Sequence, residues 1–237
     1  MSARPQLVLA LAGAALAAGC SSFLHSSAQP EQTYYLRAQP AAASGAPALA
    51  ASLRVGHPLP GPGLESTHIM LVQPDHRMNF YTGGRWAGPA ADVLEALSVE
   101  TLRGGGAWSS VEDSTSPFPS DYLLQMTVRR FEADYTGGGS VPEVHVALDC
   151  IIGRREGRDV VASFQASGTA LAAANRLGEV VAAFEEATRK ALAQLAQESE
   201  HAVRSAGHAA ARAAVAPAHG APQNDDSPVP SISRPSQ

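Results

Sequence analysis

The chain has 237 residues, with 17 Lys+Arg against 22 Asp+Glu, and 45% of it is hydrophobic although only 5% is aromatic. A formal charge of −5 without a basic block excludes partners held through nucleic-acid phosphates. Two cysteines, Cys20 and Cys150, are too few for a disulfide framework or a cysteine-built zinc site.

Residues 1–19 carry one cation, Arg4, ahead of an apolar run from Leu7 to Leu16 and then small residues. That is the layout of a secretory signal peptide, and the run is shorter than the ~20 residues that cross a bilayer. It closes on Leu16-Ala17-Ala18-Gly19-Cys20. Small residues allow the chain to lie extended in a peptidase cleft beside a modified thiol, and this ending resembles a bacterial lipobox. The resemblance implies a diacylglyceryl thioether on Cys20, cleavage after Gly19, and an N-acyl chain such as palmitate. Ala17 departs from the commoner leucine, and the alternative is an ordinary cleavage that leaves Cys20 incidental. Several buried acyl chains at ~0.8 kcal/mol per CH₂ make such an anchor stable. Ser21, in place of aspartate, resembles the signal for export to the outer membrane. Residues 20–33 then read as a polar tether of ~20 Å relaxed reach.

A folded unit is expected over 34–200. Tyr34-Leu36, Leu53-Val55, Ile69-Val72 and Met78-Tyr81 are short extended runs, the last leading into Arg85-Trp86. Pro89 opens a helix with Leu94, Leu97, Thr101 and Leu102 on its buried stripe, and Gly104-Gly105-Gly106 ends it. Trp108–Val111 is a further strand. Alternation of Tyr122, Leu124, Met126 and Val128 with Leu123, Gln125, Thr127 and Arg129 predicts a long strand over 121–131. Val144–Ile152 and Val160–Ala166 follow it across glycine-rich turns as an antiparallel meander. Arg176–Glu198 is an amphipathic helix whose stripe includes Val180, Phe184, Leu192 and Leu195. The fold class is therefore α+β: a mostly antiparallel (mixed) sheet with two α-helices packed on one face. Residues 201–237, rich in Ala, Pro and Ser and without an aromatic, read as a disordered tail.

Nucleophile elbows, zincin and phosphate-loop motifs are all missing from the sequence, so no catalytic or metal-ligating set and no cofactor is assigned. His145 points away from the Val144/Val146 side and reads as a solvated strand residue. Cys150 shares parity with Leu148 and Ile152, which makes it a buried structural thiol. Arg85-Trp86 is the pair of interest. Trp86 either anchors a partner surface or caps the core, and Arg85 either docks a partner or pairs with a carboxylate.

Several pieces then stand in a familiar order. Tyr34-Tyr35-Leu36 follows the cysteine, and Val55–Pro60 contains Pro-Leu-Pro. Tyr81 precedes Arg85-Trp86-Ala87-Gly88-Pro89, and Leu124–Glu132 and Val181-Ala182-Ala183-Phe184 come later. Together they resemble the ABC-type transport auxiliary lipoprotein family, of which PqiC (YmbA) is a member. The alanine-rich loop 38–51 and the long tail are departures. The resemblance implies a non-enzymatic outer-membrane lipoprotein facing the periplasm. Its implied partners are a periplasmic MCE-domain protein, indirectly an inner-membrane ABC transporter or permease, and outer-membrane lipid; self-association is left open. Two other classes compete: an envelope-assembly or secretion-system lipoprotein, and a lipid-anchored hydrolase.

Overall fold

The computed structural model describes residues 30–42 and 45–215. The signal peptide, Cys20 and most of the tether lie outside the described residues, as does the tail from 216 on. The strands are β1 (Gln32–Tyr34), β2 (Leu49–Val55), β3 (His68–Val72), β4 (Met78–Trp86), β5 (Trp108–Glu112), β6 (Tyr122–Asp134), β7 (Glu143–Arg154) and β8 (Val160–Leu171). Helix α1 (Ala90–Gly105) lies between β4 and β5, and α2 (Leu177–Val215) follows β8.

The eight strands form one sheet, and it is mixed rather than mostly antiparallel. The expected meander is present, with β6, β7 and β8 paired antiparallel along nearly their whole lengths. The parallel part arises on the other edge of β6. There β2 pairs its Leu53–Val55 with Tyr122–Leu124, and β3 pairs Leu71 and Val72 with Ala133 and Asp134. Leu59 bridges to Thr127 between them, so residues 53–72 run alongside β6 as one interrupted strand. A mostly antiparallel sheet was expected. The chain instead continues in the same direction, and α1 later carries it back so that β5 also lies parallel to β2.

Alternation along β6 is regular as far as Val128, with Tyr122, Leu124, Met126 and Val128 buried. The register with β7 then shifts between Val128 and Arg130, and the buried set changes to Phe131 and Ala133. One extra residue in a period-2 strand moves every later side chain to the opposite face. Opposite β6, Val144, Val146, Leu148, Cys150 and Ile152 all point into the core.

Both helices cover this buried face and touch each other. Proline 89 precedes α1, and Gly106 ends it with φ 65°, a left-handed cap that a side chain would resist. The predicted stripes are buried: Leu94, Leu97, Thr101 and Leu102 on α1, and Val180, Phe184, Leu192 and Leu195 on α2. Helix α2 runs on to Val215, well past the boundary expected at 200, so the disordered tail read from 201 is corrected for residues 201–215. Alanine has the highest helix propensity, and a helix nucleated by packing propagates cheaply. Val203 is still buried there, and the Arg204 guanidinium donates to the Pro47 carbonyl at 2.7 Å. Strand β1 likewise begins at Gln32, inside the segment read as tether.

Candidate functional site

Arg85 and Trp86 close strand β4, and consecutive strand residues face opposite ways. Trp86 turns inward and is 1% exposed. Its ring centroid stands 5.5 Å from that of Phe131 on β6 and 5.0 Å from that of Phe184 on α2, and Phe131 and Phe184 are themselves 5.0 Å apart. Three aromatic rings from two strands and a helix thus meet at one point of the core. A partner surface cannot reach this ring, so of the two roles open to Trp86 the burial fits the core one. Its indole Nε1 is buried without a hydrogen-bond acceptor.

Arg85 turns outward and is half exposed. Its Nε lies 3.7 Å from Glu31 Oε2 and 3.4 Å from Thr33 Oγ1 across the β1–β4 pair. An exposed pair of this kind is worth ~0–1 kcal/mol, so the guanidinium is loosely held. The structure therefore divides the two sequence candidates, one into the core and one onto the surface. Cys20 lies outside the described residues.

The sequence did not single out His57, which comes together with carboxylates of α1. His57 Nδ1 is 2.8 Å from Glu95 Oε2 and 3.8 Å from Asp92 Oδ1, and Glu95 Oε1 accepts the Ser114 amide at 2.9 Å. A cleft of about 630 Å³ opens beside them. The order of groups decides what this set can do. In a nucleophilic triad the imidazole stands between hydroxyl and carboxylate. Here the carboxylate stands between serine and histidine, so it brackets three chain segments together and does not activate a hydroxyl. The signal was a lone histidine 38 positions from its partner, a spacing with no period to mark it.

Burial alone would push the Glu95 carboxyl up, but the hydrogen bonds from Ser114 and His57 outweigh it and hold the group below its usual range. A depressed folded-state pKa contributes stability that is present above the ordinary carboxylate range and is lost as pH falls through the folded value. The Glu95→Gln chain is expected to be less stable than the native one at neutral pH and to lose less on acidification. Melting temperatures followed from neutral to acid pH would check this, and parallel curves for the two chains would refute it.

Two further groups are structural. Tyr135 donates its hydroxyl proton to Asn175 Oδ1 at 2.7 Å, so Tyr81 must be the donor in the 2.7 Å contact between the tyrosine hydroxyls. This chain of bonds pins β4 to β6 and to the approach of α2. Burial and the Tyr135 contact raise the Tyr81 pKa, which keeps its phenol protonated. Cys150 is buried, and desolvation, aided by the neighbouring Asp149, pushes its thiol up to about 12, so it is a poor nucleophile. His145 faces the sheet's polar side as read, yet it is mostly covered there. Its Nε2 lies 3.3 Å from Glu143 and 3.9 Å from Asp134. Among the described residues no cluster of His, Cys, Asp and Glu could hold a metal ion, and no helix is long and apolar enough to cross a membrane.

The sequence matches the model of the family described as ABC-type transport auxiliary lipoprotein component over residues 34–198. The chain belongs to this family. The match runs from Tyr34, the last residue of β1, to the middle of α2, and so covers β2 to β8, all of α1 and the first half of α2. Family membership makes the chain a lipoprotein-type component associated with a transport system of the cell envelope. A crystal structure of protein XCC0632 from Xanthomonas campestris is similar at a TM-score of 0.70 and 25% identity, covering 75% of this chain and 99% of that one. A second solved structure, titled only as an uncharacterized protein, shares the fold at a TM-score of 0.56 and 17% identity, covering 72% of this chain and 99% of that one. No curated protein matches the chain.

Proposed function

We propose that this family member is an outer-membrane-anchored lipoprotein that docks a periplasmic MCE-domain conduit to the outer membrane in intermembrane lipid transport. The reading rests on one observation above the others: the family match runs over residues 34–198, from the end of β1 through every later strand and α1 into α2. The residue chemistry is compatible with a docking role. The titratable groups brought together at His57, Glu95 and Ser114 are arranged as a structural bracket, and the energy for transport would come from a partner. Cys20 would hold the chain in the membrane through its lipids, and Arg85 would present a loosely held cation to the partner.

Crosslinking in intact membranes, followed by identification of the captured protein, tests the reading. The native chain is expected in the outer-membrane fraction joined to an MCE-domain protein, and Arg85→Glu should weaken that capture without moving the melting temperature. The Cys20→Ala chain should move to the soluble periplasmic fraction. Retention of that variant in the membrane would contradict the anchor, and capture of secretion-system components instead would transfer the chain to an envelope-assembly role.

A further inference from the structure

The loop between β5 and β6 turns Pro117, Phe118 and Pro119 to solvent in a row, with Phe118 67% exposed. Loops are usually the mobile part of a surface, but side chains from two other elements hold the backbone of this one. The Arg54 guanidinium of β2 forks onto two of its carbonyls, donating to Ser116 at 2.6 Å and to Phe118. The Asp121 carboxylate accepts the Ser52 amide and hydroxyl, each at 2.7 Å, and Glu95 of α1 accepts the Ser114 amide. A proline on either side of Phe118 fixes φ there as well. The phenyl ring is thus offered to solvent on a backbone with little freedom left to lose on binding.

Strand pairing fixes where the loop stands. Asp121 leads into Tyr122, the first residue of β6. Strand β1 starts toward the other end of the sheet: Gln32 pairs with Gly84, the adjacent Arg85 with His68, and Leu71 of that same strand with Ala133. At ~3.3 Å per residue, about 30 Å of β6 separates the two levels. The residues before β1 are those that lead to Cys20. A lipid anchor at Cys20 therefore attaches the chain at one end of the sheet, and the Phe118 loop lies at the other.

We propose that the Phe118 loop docks a protein partner carrying an apolar pocket for one aromatic ring. That partner is the periplasmic conduit of the function proposed above, on which this inference rests. An aromatic anchor ringed by polar groups is the usual centre of a protein interface. Here the ring has a rim of both signs: Asp113 on the loop, and Glu156 and Asp159 with Arg154, Arg155 and Arg158 on the β7–β8 turn. The Arg155 amide ties that turn to the loop through the Asp121 carbonyl at 2.9 Å. Balanced charge gives no general attraction to a polyanion or an anionic bilayer, and suits a protein surface of complementary mixed sign. Arg85, nearer the anchored end, sits in an exposed ion pair of small worth, so Phe118 carries the larger share of the affinity.

Two measurements test this. In intact membranes, photoreactive benzoylphenylalanine replaces Phe118 or, separately, Leu171, which is equally exposed but lies at the Asp134 end of the sheet. Irradiation is expected to join position 118, and not 171, to the MCE-domain protein. In detergent, the purified MCE-domain protein is titrated with the full mature chain. Phe118→Asp should weaken binding at least about thirtyfold, more than Arg85→Glu does. Its melting temperature should be unchanged, because the ring is already exposed in the free chain. Arg54→Lys keeps the ring but loses the fork to two carbonyls, and should weaken binding several-fold. Undiminished binding by Phe118→Asp, or a probe at 118 joined only to lipid or to a second copy of this chain, would overturn the inference and leave the conduit reading in place. Failure of the native chain to bind the MCE-domain protein would overturn that reading, and this inference with it.

Discussion

The Trp86→Ala chain is expected to lose about 3–5 kcal/mol of stability, the usual cost of truncating a large buried aromatic. In a domain of this size that corresponds to a melting temperature lower by roughly 10 °C. The ring is 1% exposed and is the member of the Trp86–Phe131–Phe184 group that ties β4, and through it β1, to β6 and α2. Part of the loss is offset, because the variant no longer buries an indole N–H without an acceptor. Trp86→Phe separates the two contributions. It keeps an aromatic ring in the group and removes the unpaired donor, so its cost should stay below about 1.5 kcal/mol. Thermal and urea unfolding of both variants would check the pair of values. A Trp86→Ala chain that melted like the native one while losing a binding partner would return the residue to the surface role.

The second large effect is expected at Gly168 on β8. A Cβ there would strike the Ala187 carbonyl of α2 and stand 2.9 Å from the Ala191 amide nitrogen. Both are helix backbone, which cannot rotate away as a side chain can. Helix α2 is thus seated on β8 through backbone approach at this point, and Ala187 and Ala191 are fully buried beside it. Gly168→Val forces the helix off the sheet, with an expected loss of about 3 kcal/mol or more. A Cβ added at Gly207, in the same helix, would meet nothing within 4 Å beyond the helix's own backbone, so Gly207→Ala should stabilise by about 0.5–1 kcal/mol instead. Opposite signs for the two glycines in denaturant unfolding would confirm that α2 is positioned by contact. A neutral Gly168→Val would show that it is not.

The edge of β8 shows a related arrangement. The Ser167 amide donates to Gln194 Oε1 at 3.0 Å, and Lys190 Nζ donates to the Thr169 carbonyl at 2.8 Å. Two side chains of α2 therefore occupy polar backbone groups on a strand that, among the described residues, pairs only with β7. A free edge would otherwise template pairing with another chain. The polar face of the meander is organised by Asp149, which takes the Arg129 guanidinium and, at 3.1 Å, the Gln165 amide.

Much of this molecule follows from local pattern. Period 2 in β6 and β7 and period 3.6 in α1 and α2 were legible, because each is set by which side chains must leave water. The leader and the order of pieces around Arg85-Trp86 pointed to the family for the same reason: both are linear features. The role of Trp86 was not legible. An indole at a strand end reads alike whether Phe131 and Phe184 cover it or water does, and those residues are 45 and 98 positions away in sequence.

Three features were decided by tertiary structure alone. The direction of β2 and β3 depends on β6 offering one edge long enough for both, which no property of residues 49–72 encodes. The bulge near Arg129 reverses the buried parity because β7 supplies one residue fewer opposite it. The length of α2 depends on a packed first half that sustains an alanine-rich second half. Sequence fixes the faces of an element through local hydrophobic period; partners, direction and extent come from contacts between segments far apart in the chain, for which a single sequence holds no repeating signal.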